Sequence, residues 1–408
     1  MRSAPTTSYM GSSPESSHLC VLVHGLLGKP SRMANIEKSL RSRFAQDKLY
    51  ILLAKGNTGG FTYDGIDCGG ERLCAEIEEQ LRNIESKGGR VKKLSLIGYS
   101  FGGLVLRYAV GLLEAKGVLD KVQCMNFVTF ATPHLGVRTA MQGWRNRVWD
   151  AVGARVFSAS GQQLFVIDDF RDTGRPLLSL LVDSKSAFMS GIRKFTRHIL
   201  YANVVNDRSA AYYTTSIETT DPFADMNDIQ VNYLAGYKEV ILDPYLPFLP
   251  REIAAFLLIS VIQTVRSSGR ISLHDRGEAG IDTASYRAPI LGVEINEDEQ
   301  LLESVHDPKR YQKRLGSIDE ESIEQQGPLW FGHISQAVES TLPQQGNLIL
   351  GSNQVEMVES LNKLKWRKYP VWIQRTRLSH AAIIVRTDTS EFDEGKAVLK
   401  HFVDEFIL

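Results

Sequence analysis

The sequence predicts an α/β fold, a mostly parallel β-sheet with helices on both faces. Three observations predict it. Short, nearly continuous apolar runs recur at Leu19–His24, Leu49–Ala54, Leu94–Ile97 and Val122–Ala131. Segments with apolar residues at helical spacing separate these runs. Turn-forming or polar residues follow the ends of the runs, at His24-Gly25, Gly98–Gly102 and Thr132–Gly136. Uninterrupted apolar runs mark strands buried on both faces, as parallel strands between helices are. In such sheets chemistry gathers at the carboxyl ends of the strands.

Each element has its own reason. Pro30–Phe44 places Met33, Ile36, Leu40 and Phe44 on one helical face. Asn57–Gly70 reads as a Gly-rich loop, and Glu71–Ser86 as an amphipathic helix with Leu73, Ile77, Leu81 and Ile84 inward. Gly88-Gly89 ends that helix. A helix is expected over Leu104–Lys116. Met141–Lys194 reads as predominantly helical, a cap over the site, and His198–Val205 as a further strand. Pro222–Gly236 is loop-like, and Glu294–Gln326 is dense in charge. Gln354–Leu364 is helix-like, Pro370–Ile373 strand-like, and Phe392–Phe406 a closing helix. Met1–Ser17 is rich in Ser, Thr and Pro with no apolar core, so a disordered leader is expected rather than a secretory signal. The remainder, 18–408, is expected as one domain, with a helical cap at about 141–194 and insertions at about 222–368.

The 408 residues carry equal numbers of acidic and basic side chains. Zero net charge argues against broad electrostatic binding to nucleic acid. The four cysteines (Cys20, Cys68, Cys74, Cys124) have no metal-ligand spacing. Cys20 and Cys124 sit in apolar runs, where a buried thiol is the simpler reading, and this favours a reducing compartment.

Chemistry is most legible at Leu94–Tyr108. Gly98-Tyr99-Ser100-Phe101-Gly102 fits G-x-S-x-G between a strand and a helix. There a sharp strand-to-helix turn presents the serine Oγ above the sheet, and the flanking residues must be small. The helix N-terminus offers unpaired N–H groups to a developing oxyanion, with Phe101 as one donor. A second donor is needed from the loop after an early strand, and the N–H of Leu26 is the candidate. A serine hydroxyl needs a base within reach, and the base needs an acid to orient it. Following the order serine, acid, histidine, His380, in a polar loop beside an apolar run, is the best placed of the nine histidines. Asp207, directly after a strand, is the first choice of acid, with Asp225 and Asp228 as rivals.

Seven stretches together resemble a known family. They are Val21–Leu26, Thr62–Gly65, Gly98–Leu104, Arg107–Gly111, Phe130–Gly136, Tyr201–Arg208 and His380–Arg386. They resemble the eukaryotic serine esterases of the α/β-hydrolase superfamily, and within them fungal lipid-droplet phospholipase and monoacylglycerol lipase-like proteins. Thr-Pro-His-Leu-Gly (132–136) and Tyr-Ala-Asn-Val-Val-Asn-Asp (201–207) are the more specific of these; the elbow alone is shared by the whole superfamily. The resemblance implies Ser100, Asp207 and His380 as a catalytic triad, lipid esters as substrates, and no metal or organic cofactor. Two other functions fit the same residues. An acyltransferase would pass the acyl group to an alcohol, and a non-catalytic scaffold would use the fold as a partner surface.

Tyr245–Val265 is the most apolar stretch. Ile253–Ile262 as a helix would span about 15 Å, half of a hydrocarbon core of about 30 Å. Arg251, Glu252, Pro250 and Pro247 interrupt its extension. Core or cap helix, interfacial segment and true span remain open readings. The expectation taken forward is an intracellular protein, peripheral on a membrane or lipid-droplet surface through this stretch.

Overall fold

The computed structural model describes residues 17–137, 158–223, 229–245, 248–250 and 350–408. Its frame is a six-stranded sheet of β1 (His18–Val23), β2 (Tyr50–Leu53), β3 (Lys93–Tyr99), β4 (Gln123–Phe130), β5 (Arg197–Asn203) and β8 (Arg367–Val371). The spatial order is β2-β1-β3-β4-β5-β8, and every neighbouring pair is parallel. β6 (Ile229–Val231) and β7 (Phe248–Pro250) form a small antiparallel pair of their own. Parallel neighbours cannot be joined by a hairpin, so the connections cross the faces of the sheet as helices.

Strand alternation divides the core in two. Leu19, Val21 and Val23 of β1 face one apolar layer, with Leu73 and Ile77 of α2 (Ile66–Ser86) and Leu104 and Val105 of α3 (Phe101–Ala115). Cys20 and Leu22 face the opposite layer, with Ile36 and Leu40 of α1 (Ala34–Arg43) and Val398 and Phe402 of α10 (Gly395–Glu405). All six residues of β1 are buried, which is why its sequence shows no polar alternation. α3 is buried almost all round, between the sheet, α2 and α6 (Ala187–Arg193). Among the described residues, the other α-helices are α4 (Ala159–Leu164), α5 (Leu177–Leu180), α7 (Tyr212–Ser216), α8 (Ser352–Asn362) and α9 (Ser379–Ala382).

The structure corrects the sequence reading in three places. α2 begins at Ile66, so Gly69 and Gly70 lie inside a helix and not in the loop expected over Asn57–Gly70. A Cβ on Gly70 would lie 2.6 Å from Tyr108 Cδ1, so this glycine serves close packing of α2 on α3. His380 belongs to the single-turn helix α9, where a polar loop was expected. Ile229–Val231, inside the expected loop 222–236, is a strand. Of the expected cap, 141–157 lies outside the described residues. Residues 158–194 hold α4, α5 and α6, which pack against α2, α3, α8 and the 3-10 turn Gly59–Tyr63. The expected leader (but for Ser17), most of the 222–368 insertions, and Asp225 and Asp228 also lie outside the described residues.

Several histidines are built into this core as neutral rings. Burial, with Lys93 adding to it, pushes His18 down to about 4, and burial pushes His401 down to about 4 as well. Burial lowers His24, His134 and His198 too. In the unfolded chain these rings would take protons from about 6.5 downward, before the folded protein does. Their contribution to stability is therefore complete above that pH and is lost as the pH falls toward and through 4. His18 and His401 should each contribute up to about 3 kcal/mol by this linkage. Urea unfolding followed between about pH 8 and pH 4.5 should show a steady fall in midpoint below pH 6.5. A midpoint that stays level over that range would contradict this description of the core.

Candidate active site

The candidate nucleophile sits where β3 turns into α3. Ser100 has φ 54 and ψ −130, a left-handed backbone that a side-chain-bearing residue rarely adopts. Its N–H donates to Phe130 O (2.8 Å), and its carbonyl accepts from Thr132 Oγ1 (2.9 Å). The turn demands empty space on both sides. A Cβ on Gly98 would lie 2.6 Å from the Cα of Gly103, and one on Gly102 would run into the carbonyls of Val23 and His24.

The candidate base and acid arrive from distant parts of the chain. His380 Nδ1 lies 2.9 Å from Asp207 Oδ2, and its Nε2 lies 2.8 Å from Ser100 Oγ. An ionised carboxylate only accepts, so Nδ1–H is the donor to Asp207. Nε2 is then the acceptor for the Ser100 hydroxyl. The structure thus brings Ser100, His380 and Asp207 into one hydrogen-bonded line. Asp207 has a side chain only 2% exposed. Burial works to raise its pKa, but the charge and hydrogen bond of His380, with the donors Asn203 and Ala210, outweigh it. Its carboxyl is therefore held below the usual range, and it stays an anion. Its Oδ1 accepts from the N–H groups of Ser209 (3.0 Å) and Ala210 (2.9 Å), and its Oδ2 also accepts from Asn203 Nδ2 (2.8 Å).

His380 is anchored through its backbone and its neighbour. Tyr99 OH donates to His380 O (2.8 Å), and Ser379 Oγ donates to Val205 O (3.0 Å). One tie comes from the residue before Ser100 and the other from two residues before Asp207. Asn203, Tyr99 and Ser379 lay outside the sequence reading of the site. Asn203 and Tyr99 stood in the stretches Tyr201–Arg208 and Gly98–Leu104 without a role of their own, and Ser379 stood in none of them.

The two expected oxyanion donors flank Ser100. Phe101 is the first residue of α3. Leu26 follows Gly25, on which a Cβ would lie 2.8 Å from Ser100 Cβ. Among the described residues, neither the Leu26 nor the Phe101 N–H has a hydrogen-bond partner. The two other histidines at strand ends are used otherwise. His24 Nδ1 bonds Gly25 O (3.0 Å). His134 is turned into the core, 3.0 Å from Thr129 Oγ1 and against the Trp366 ring.

The parallel sheet, its order and the strand–serine–helix turn define an α/β-hydrolase fold. Residues 13–219, just over half of the chain, match the family described as "Putative serine esterase (DUF676)", and the chain belongs to that family. It is 31% identical over 219 residues to "Putative lipase ROG1" of Saccharomyces cerevisiae, covering 52% of this chain and 30% of that protein. It is 28% identical over 216 residues to "Putative lipase C4A8.10" of Schizosaccharomyces pombe, covering 50% and 27%. The chain thus matches less than a third of the length of these relatives. Among solved structures, phospholipase PlaB from Legionella pneumophila overlaps 47% of this chain and 39% of its own, at 11% identity and a TM-score of 0.30. That overlap is too slight to add to the fold assignment.

Asp207→Asn should lower kcat on a water-soluble ester by about three to four orders of magnitude while the circular dichroism spectrum is kept. The amide can hold the Ser209 and Ala210 N–H groups only by turning its own NH₂ toward His380 Nδ1 and Asn203 Nδ2. That sets donor against donor. Near-normal turnover in this variant would remove Asp207 from the site.

Proposed function

We propose that this protein is a serine hydrolase of carboxylic esters, acting on lipid acyl esters through an acyl-enzyme. The observation that carries the reading is the continuous line from Ser100 Oγ through His380 to Asp207. In the proposed reaction, His380 Nε2 takes the hydroxyl proton as Ser100 Oγ attacks the ester carbonyl. Asp207 holds the ring in the required tautomer and stabilises its cation. The N–H groups of Leu26 and Phe101 receive the oxyanion, each contributing about 3 kcal/mol to the transition state. The tetrahedral adduct collapses, and the alcohol leaves with the proton from His380. Water then repeats the sequence on the acyl-enzyme, and the acid is released.

Glycerophospholipids or acylglycerols are the proposed substrates. The curated relatives carry the name "Putative lipase", which supports the class. Apolar side chains stand in solvent on segments that carry the site. Phe61 is 60% exposed on the 3-10 turn beside the Gly25–Gly28 loop, and Leu378, 38% exposed, lies two residues before His380. The proposed place of action is a lipid-droplet or membrane surface inside the cell, reached through about Tyr245–Val265. Tyr245 is 94% exposed; 246–247 and 251–265 lie outside the described residues. Among the described residues, no helix is long and apolar enough to cross a membrane. All four cysteines are free thiols, which fits a reducing compartment.

A fluorophosphonate probe should label the purified protein once, on Ser100. Ser100→Ala should abolish labelling and fatty-acid release from both phospholipid vesicles and acylglycerol emulsions. A folded wild-type protein that neither reacts with the probe nor releases fatty acid from either lipid would contradict the proposal. The ratio of the two lipid activities identifies the preferred class.

A further inference from the structure

The stretch Thr62-Tyr63-Asp64-Gly65 has no part in the reaction described above, yet it is built into the loop that carries one oxyanion donor. Gly25–Gly28 is a four-residue turn closed by Gly28 N–H to Gly25 O (3.1 Å). Its third residue, Leu27, has φ 50. Turns that need a left-handed third residue normally place glycine there, because any Cβ is strained in that conformation. A leucine holds it only if something outside the turn opposes relaxation.

Thr62 supplies that opposition. Its hydroxyl is buried and accepts from the N–H of Leu27 (2.9 Å) while donating to Gly59 O (2.8 Å). Gly59 N–H donates in turn to Gly28 O (2.8 Å), so the 3-10 turn Gly59–Tyr63 grips the loop at two successive residues. The 3-10 turn is itself fixed from behind. Ser160 Oγ of α4 donates to Thr62 O (2.5 Å) and accepts from Gly65 N–H (2.9 Å). Gln163 Oε1 accepts from Ile66 N–H (2.6 Å), and its Nε2 donates to Asp67 Oδ1 (2.9 Å).

We infer that Thr62 is a positioning residue for the oxyanion loop: it holds the Leu26–Leu27 peptide in its strained orientation, and through the Leu26 Cα that joins this peptide to the Gly25–Leu26 peptide it keeps the Leu26 N–H aimed at the space beside Ser100. The inference deepens the esterase reading and rests on it. Without the Thr62 hydroxyl, the half-buried Leu27 N–H loses its acceptor, and the strain at Leu27 is free to release. Rotation about Leu26 and Leu27 then carries the Leu26 amide off its line. Such a shift affects a donor used in the transition state and leaves ground-state binding largely alone. Thr62 makes its hydrogen bonds to Leu27, Gly59 and Ser160 rather than to Ser100, so it acts through the loop.

The test compares Thr62→Val, which removes the hydroxyl at nearly constant shape, with Thr62→Ser, which restores it. Both are assayed on a water-soluble ester beside wild type and Ser100→Ala, with melting temperatures measured for all four. The inference predicts that Thr62→Val loses about ten- to a hundredfold in kcat with KM changed by less than about threefold. Thr62→Ser should return to within about threefold of wild type in kcat. Should Thr62→Val fail to fold, Thr62→Ala removes the same hydroxyl with no added carbon and carries the same comparison. A folded variant with wild-type kcat, a loss confined to KM, or a loss that serine does not rescue overturns the inference. Turnover retained by Ser100→Ala would instead overturn the esterase reading, so the two failures are distinguishable.

Discussion

The left-handed backbone of Ser100 is the constraint on which the rest of this structure depends. A residue with a side chain pays for φ 54 in strain, so the surroundings must hold it there. They do so with hydrogen bonds from β4 and the loop after it, at Phe130 O and Thr132 Oγ1. They do so also by close approach, since neither Gly98 nor Gly102 has room for a Cβ. Those requirements fix β3 between β1 and β4, because β1 must end beside Gly102 and β4 must end beside Ser100. The strained turn and the strand order at the centre of the sheet are thus one solution.

The same turn dictates where the proposed base and acid must come from. Oγ projects above the carboxyl ends of the strands, so His380 and Asp207 have to be delivered to that edge. β5 ends at Asn203 and places Asp207 four residues on, where Asn203 and two backbone N–H groups hold its carboxylate. β8 is the strand next to β5, and the chain after it returns as α9 with His380 at its second position. Tyr99 and Ser379 then tie His380 to the strand before Ser100 and to the chain leading to Asp207. Because these ties run through the backbone of His380 and its neighbour, they leave both ring nitrogens for Ser100 and Asp207.

The sheet was legible in the sequence because parallel strands buried on both faces leave continuous apolar runs, and four such runs preceded residue 132. The G-x-S-x-G turn was legible because its small residues are a steric necessity. Other features were hidden for physical reasons. Gly69 and Gly70 read as loop residues because glycine usually interrupts helices, but here they admit the side chains of Val105 and Tyr108. The helical turn around His380 is four residues long, too short to show a period. Tyr99, Ser379 and Thr62 act through hydrogen bonds to backbone groups remote in the chain, at His380, Val205 and Leu27, and no local pattern encodes such a partner. Ser100, Asp207 and His380 were proposed from order and position in the chain; their separations could come only from the folded structure.

The central claim is that these three side chains act as one catalytic unit, and the most direct test is whether their effects on turnover add. The measurement is kcat on a water-soluble ester for Ser100→Ala, His380→Ala and the double variant, each shown to be folded. If Ser100 is the nucleophile and His380 its base, each single variant removes nearly all of the catalysis that the pair provides, a loss on the order of a millionfold. The double variant should then be scarcely slower than either single one. Two moderate losses that multiply in the double variant would mean that the residues act independently, and the account of the site would be wrong.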